Sequence, residues 1–144
     1  MEFISSNVLK GIVVDKGRIV SAYLQNKITG NKINQGACEC GVSYFVKTGI
    51  LTKKAYFDSS QMEVKNTFED GLELQAQHGG MTWNIIVKYA ADEKSGVLRK
   101  TLTLKVSDPN VNIDYILLDG FSTEGVKFSW SIPKVTKRVF IPAY

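Results

Sequence analysis

The sequence predicts an all-β fold, a mostly antiparallel β-sandwich of two sheets and about nine or ten strands. Three observations lead there. Several segments alternate apolar and polar residues with the period of two that marks a strand with one buried face. Turn-forming clusters rich in Gly, Asp and Asn separate them. No segment carries a 3.6-residue apolar period with a cap at either end. Composition agrees: 12 Gly, 7 Phe and 6 Tyr stand against only seven Ala, favouring strands over helices. At 144 residues the chain has the size of one domain with a real hydrophobic core.

The N-terminal runs VLKGIVV and RIVSAYLQN flank Asp15-Lys16-Gly17, which predicts a hairpin over Val8 to Asn26. The polar stretch KITGNKINQG reads as a loop or a loosely paired excursion. Cys38, Cys40, Val42, Tyr44 and Val46 share one parity, the buried side of a half-buried strand. Ala55-Tyr56-Phe57 reads as a short strand or edge segment. Around Glu69-Asp70-Gly71 a second hairpin is expected, with Met62, Val64 and Phe68 mirrored by Leu72, Leu74 and Ala76.

After a His78-Gly79-Gly80 turn come three strands in a row, within Thr82–Phe121. Trp83, Ile85, Val87 and Tyr89 mark the inward side of the first, and Leu98, Leu102, Leu104 and Val106 that of the second. Lys100 falls on this apolar parity, so it either reaches water from near the strand end or is a buried cation with a carboxylate partner; the first is expected. The third strand carries Val111, Ile113, Tyr115 and Leu117 on one side, with Ile116 and Leu118 on the other, so its later half is expected to be covered on both faces, as in a central strand. A last strand places Phe128, Trp130 and Ile132 together. The expected core is Trp83, Ile85, Val87, Leu102, Leu104, Ile113, Tyr115, Phe128 and Trp130.

The formal net charge is +4, but the basic runs Lys53-Lys54, Arg99-Lys100 and Lys134 to Arg138 are separated by acidic positions. A solvated surface is therefore expected, with no nucleic-acid partner. No apolar run of about 18 residues predicts a membrane span, and the N-terminus lacks the basic segment and apolar core of a secretory signal. The compartment stays open, with cytoplasmic the expectation for the chain as it stands. On a strand, Cys38 and Cys40 would lie about 7 Å apart, beyond comfortable disulfide reach, so free thiols are expected. With His78 as the single histidine, no zinc site and no cofactor are expected.

No nucleophile elbow, phosphate-cradling loop or dinucleotide fingerprint occurs. The carboxylates Asp114, Asp119, Glu69 and Asp70 read as surface groups rather than a glycosidase pair. No catalytic residue is evident. The candidates for contact with carbohydrate are Trp83, Trp130 and Lys100, although the parity of both tryptophans favours the core. Tyr23 and Tyr56 lie off the buried face or without a firm assignment.

Two pieces of the chain carry a resemblance. ISSNVLKGIVVDKGRIVSAYLQNKITG, with Asn7, Leu9, Gly17, Leu24, Asn26, Thr29 and Gly30, resembles the start of the N-terminal β-sandwich module of large glycoside hydrolases of the α-galactosidase and raffinose-synthase-like group. VLRKTLTLKVSDPNVNIDYILLDGF resembles a strand pair of the same modules. The resemblance implies a galactose-mutarotase-like supersandwich, followed in the parent protein by a catalytic (β/α)8 barrel beyond Tyr144 that bears the catalytic carboxylates. The chain is then a non-catalytic module and an N-terminal fragment of a longer protein. The apolar tail Val139, Phe140, Ile141 and Tyr144 agrees, as a surface that a downstream domain would cover or that would join copies of the chain. The alternative is a free-standing carbohydrate-binding module. An immunoglobulin-type adhesion domain ranks last, because the Cys…Trp…Cys spacing is missing.

Overall fold

A computed structural model describes residues 1–48 and 50–120 of the chain. Among these, eleven strands follow in order: β1 (Glu2–Ile4), β2 (Val8–Asp15), β3 (Arg18–Asn26), β4 (Lys32–Gly36), β5 (Gly41–Thr48), β6 (Leu51–Asp58), β7 (Glu63–Phe68), β8 (Gly71–His78), β9 (Met81–Asp92), β10 (Val97–Val106) and β11 (Asn112–Leu117). A single 3-10 turn, Ser59–Gln61, follows β6 and is capped by the Asp58 carboxylate. Every strand pair is antiparallel. The all-β, sandwich-type fold expected from the sequence is the fold observed.

The strands form three hydrogen-bonded sheets where two were expected: β1-β2-β3-β4, β10-β9-β8-β7 and β11-β5-β6. The two four-stranded sheets are meanders of successive hairpins, and local turn chemistry explains them. Lys16 and Gly17 (φ 47° and 73°) close β2–β3, and Gly79 and Gly80 (φ 61° and 75°) close β8–β9. Two consecutive residues at positive φ make the tight turn whose twist matches that of the flanking strands.

The third sheet departs from the sequence reading. β11 does not pair with β10 but crosses over to β5, and among the described residues it lies at the sheet edge rather than the centre. Ile113 and Tyr115, expected in the core, are 42% and 47% exposed. For Tyr115 the cause is a bulge at Asp114: Ile113 pairs with inward Tyr44 but Tyr115 with Ser43, so one residue is skipped and the alternation is reset, while Ile113 keeps the inner side at the sheet edge. A bulge at Lys65 does the same in β7, and Phe68, expected beside buried Met62, is exposed. β6 is a full strand rather than a short segment, and KITGNKINQG ends in β4. The proposed strand with Phe128, Trp130 and Ile132, and the tail Val139 to Tyr144, lie outside the described residues.

One core joins the three sheets. Trp83, Ile85 and Val87 of β9 are buried as expected, with Leu102 and Leu104 of β10 half-buried against them. Tyr44 and Phe57, on the inner side of β5 and β6, place their ring centroids 4.7 and 5.2 Å from that of Trp83. The Trp83 indole donates to the His78 carbonyl at 3.1 Å, which satisfies its one polar atom inside the core.

A buried charge cluster as the candidate functional site

Where the three sheets meet, six parts of the chain bring charged and polar side chains together. Lys10 of β2 follows the inward parity of Ile12, and Lys100 of β10 that of Leu98 and Leu102. Glu39 comes from the connection between β4 and β5, and Asp119 from the segment just after β11. Gln35 of β4 and Tyr89 of β9 complete the group. Tyr89 stands directly across from Lys100 in the sheet.

The Lys10 ammonium lies 2.6 Å from Glu39 Oε2 and 3.6 Å from Asp119 Oδ1. Lys100 Nζ lies 2.5 Å from Glu39 Oε1 and 3.0 Å from Asp119 Oδ1. It also donates to the backbone carbonyls of Glu39 and Leu118, at 2.5 and 2.6 Å. Gln35 accepts from Lys10 through its side-chain carbonyl and donates from Nε2 to Asp119 at 3.0 Å. The Tyr89 hydroxyl donates to Glu39 Oε1. Glu39 Oε2 has the ion contact with Lys10 and no hydrogen bond of good geometry.

Lys10 and Glu39 side chains are 1% and 0% exposed. Withdrawing an isolated charge from water costs several kcal/mol, so such groups persist only when paired and hydrogen-bonded. Here two ammonium groups meet two carboxylates, and the formal sum is zero. Cys40, next to Glu39, is a buried free thiol, and its burial pushes its pKa from 9.0 up to about 12. A thiol held protonated to that degree is a poor nucleophile and a poor metal ligand. Above the cluster opens a cavity of about 320 Å³, walled by Val8, Leu24 and Leu98 and floored by Lys10, Lys100 and Asp119.

The sequence-derived candidates part company here. Lys100 belongs to the cluster, so the buried-cation reading replaces the solvent-reaching one: its side chain is 11% exposed and its ammonium meets two carboxylates. Trp83 is enclosed in the core, six strand residues or about 20 Å from Lys100's partner Tyr89. Trp130 lies outside the described residues. Asp114 and Asp70 are engaged with Lys54 at 2.6 Å and Lys88 at 2.8 Å, and these partners hold both carboxyls below their usual range. His78 ends β8 rather than sitting in the turn, with Nδ1 2.7 Å from the Tyr44 hydroxyl. Among the described residues no three His, Cys, Asp or Glu side chains group as a metal site.

Sequence reasoning missed Lys10, Gln35, Glu39 and Asp119 as members of one site. The readable signal was Lys10, which interrupts the inward parity of VLKGIVV as Lys100 interrupts that of VLRKTLTLKV. Two such interruptions in separate strands call for buried counter-charges. Glu39 falls on the outward parity of the strand expected from Cys38 on, but β5 begins only at Gly41, and Asp119 lies in an irregular segment. Comparisons with protein-family models, with curated proteins and with solved structures bring no match for this chain.

Proposed function

We propose that this chain is a non-catalytic, N-terminal β-sandwich module of a glycoside hydrolase, which packs against and supports a downstream catalytic barrel. The observation that carries the reading is the cluster of Lys10, Glu39, Lys100 and Asp119. Its charges are spent on one another, between strands and connections of all three sheets, and such an arrangement serves to hold a frame in register. A catalytic acid or base needs a proton path to a substrate, whereas the Glu39 side chain is enclosed.

The residues behind the family resemblance have local structural work that suits such a frame. The Asn26 side chain accepts from the Ile28 and Thr29 amides at 2.8 and 3.1 Å, and Gly30 donates back to the Asn26 carbonyl at 2.8 Å with φ at 76°. Asn, Thr and Gly at this spacing therefore close the turn that returns β3 to β4. Asn7 fixes the same turn from the other side, its carbonyl accepting from Lys27 N at 2.8 Å.

Sequencing the gene past the codon for Tyr144 tests the reading. A continuing frame that encodes a (β/α)8 barrel with acidic residues at strand ends is the expected result. A stop codon there would overturn it and leave the free-standing module as the surviving alternative.

A further inference from the structure

We propose that the outer face of the β11-β5-β6 sheet binds a neutral sugar ring, at a site built from Tyr56, Tyr115, Lys54 and Asp114. Directly paired residues of antiparallel strands point to the same side. Tyr115, Ser43 and Tyr56 form one such row across the three strands. Ser43 is small and fully buried beneath the two rings, whose centroids are 6.4 Å apart with planes 35° from parallel. Tyr115 and Tyr56 are 47% and 40% exposed.

The bulge in β11 supplies the polar half of the site. In a regular strand Asp114 and Tyr115 would face opposite ways. Here the skipped pairing lets Asp114 Oδ2 accept from Ser43 Oγ at 3.2 Å and meet Lys54 Nζ at 2.6 Å, on the side that carries both tyrosines. Lys54 Nζ stands 5.0 Å from the Tyr115 ring centroid. Bulges recur where a strand must re-aim a side chain at a binding site.

The chemistry selects the ligand class. A pyranose offers apolar C–H faces for the rings, and a rim of hydroxyls that donate to Asp114 and accept from Lys54. The carboxylate and ammonium cancel, so neither a polyanion nor a polycation is favoured. A wholly apolar protein surface would seal both charges away from water with nothing to replace their hydration. The inference rests on the association with carbohydrate that the proposed module and its free-standing alternative share, and not on the barrel, so the gene sequence and the sugar titration decide separate questions.

The test is a titration of the ¹⁵N-labelled chain with neutral hexasaccharides of β-1,4-glucose, α-1,4-glucose, β-1,4-mannose, β-1,4-galactose and β-1,4-xylose, each to millimolar concentration. At least one should give saturable amide shifts confined to β5, β6 and β11. Tyr115→Ala should weaken that binding by about tenfold or more, the scale of losing one aromatic contact and its neighbours, with the remaining spectrum native. Asp114→Asn should weaken it with Tyr115 intact, and Tyr23→Phe, in the first sheet, should leave it unchanged. No shift with any sugar overturns the inference, as do shifts confined to the cavity above Lys100, or undiminished binding by both variants. Concentration-dependent shifts at Tyr56 and Tyr115 without sugar also overturn it, and assign the face to a second copy of the chain.

Discussion

Two ion pairs of nearly equal length differ in almost everything else. Lys10 and Glu39 meet at 2.6 Å in a place closed to water, and Lys88 and Asp70 meet at 2.8 Å on the surface of β9 and the β7–β8 turn. Coulomb attraction at a given distance depends on the surrounding dielectric, and so does the cost of removing each charge from water. On the surface both terms are small, and salt screens what is left. In the cluster both are large, so the net value of the pair is modest while the penalty for breaking it is severe. Length alone therefore says little about what an ion pair contributes, and the neighbours of the pair decide it.

The largest effect should come from breaking the buried side. Glu39→Ala would leave the Lys10 and Lys100 ammonium groups facing a single carboxylate, Asp119, and should cost about 3–5 kcal/mol in urea unfolding, with the slope unchanged. The double variant Lys10→Met, Glu39→Leu sharpens the point: it removes one charge of each sign, leaves Lys100 with Asp119, and should lose less than Glu39→Ala alone. If the single variant is as stable as the parent, the cluster does not fasten the three sheets together.

An intermediate effect belongs to Cys40, buried against the cluster. Its pKa is raised from 9.0 to about 12, so in that window the folded state binds a proton that the unfolded state has lost. Stability from this thiol is complete below pH 9 and declines as pH rises toward 12, by about 1.4 kcal/mol per pH unit at most. Urea midpoints of the parent should fall between about pH 8 and pH 10 more steeply than those of Cys40→Ala. Equal slopes would count against the burial of the thiol.

The smallest effect belongs to the surface pair. Asp70→Asn should leave the urea midpoint at neutral pH within error, and added salt should not change that result. The sign of its pH dependence follows from Lys88, whose hydrogen bond lowers the Asp70 pKa. Any contribution is present above the ordinary carboxylate pKa and is lost as the pH falls through the depressed one. A midpoint shift comparable to that of Glu39→Ala would erase the distinction between the two pairs.

The hairpins were legible because their causes are local. Asp15-Lys16-Gly17 and His78-Gly79-Gly80 announce turns whose positive φ values the structure records, and the parity of Trp83, Ile85 and Val87 places them inside. Lys100 was legible as an anomaly but not as a member of a cluster. Its partners are Glu39, 61 residues away in sequence, and Asp119, 19 away, both outside the regular strands. Tyr115 was hidden for a different reason: one extra residue at Asp114 turns it from the expected inner side to the outer one.

From the sequence by itself follow the all-β class, the turns and the inward side of most strands, since each depends on residues two to four apart. Which strands share a sheet, where β11 crosses to β5, and how Lys10, Glu39, Lys100 and Asp119 come to neutralise one another were decided only by the tertiary structure. Alternation states which way a side chain points but not which strand lies beside it. A buried charge, likewise, is acceptable only when its partner arrives from elsewhere in the chain.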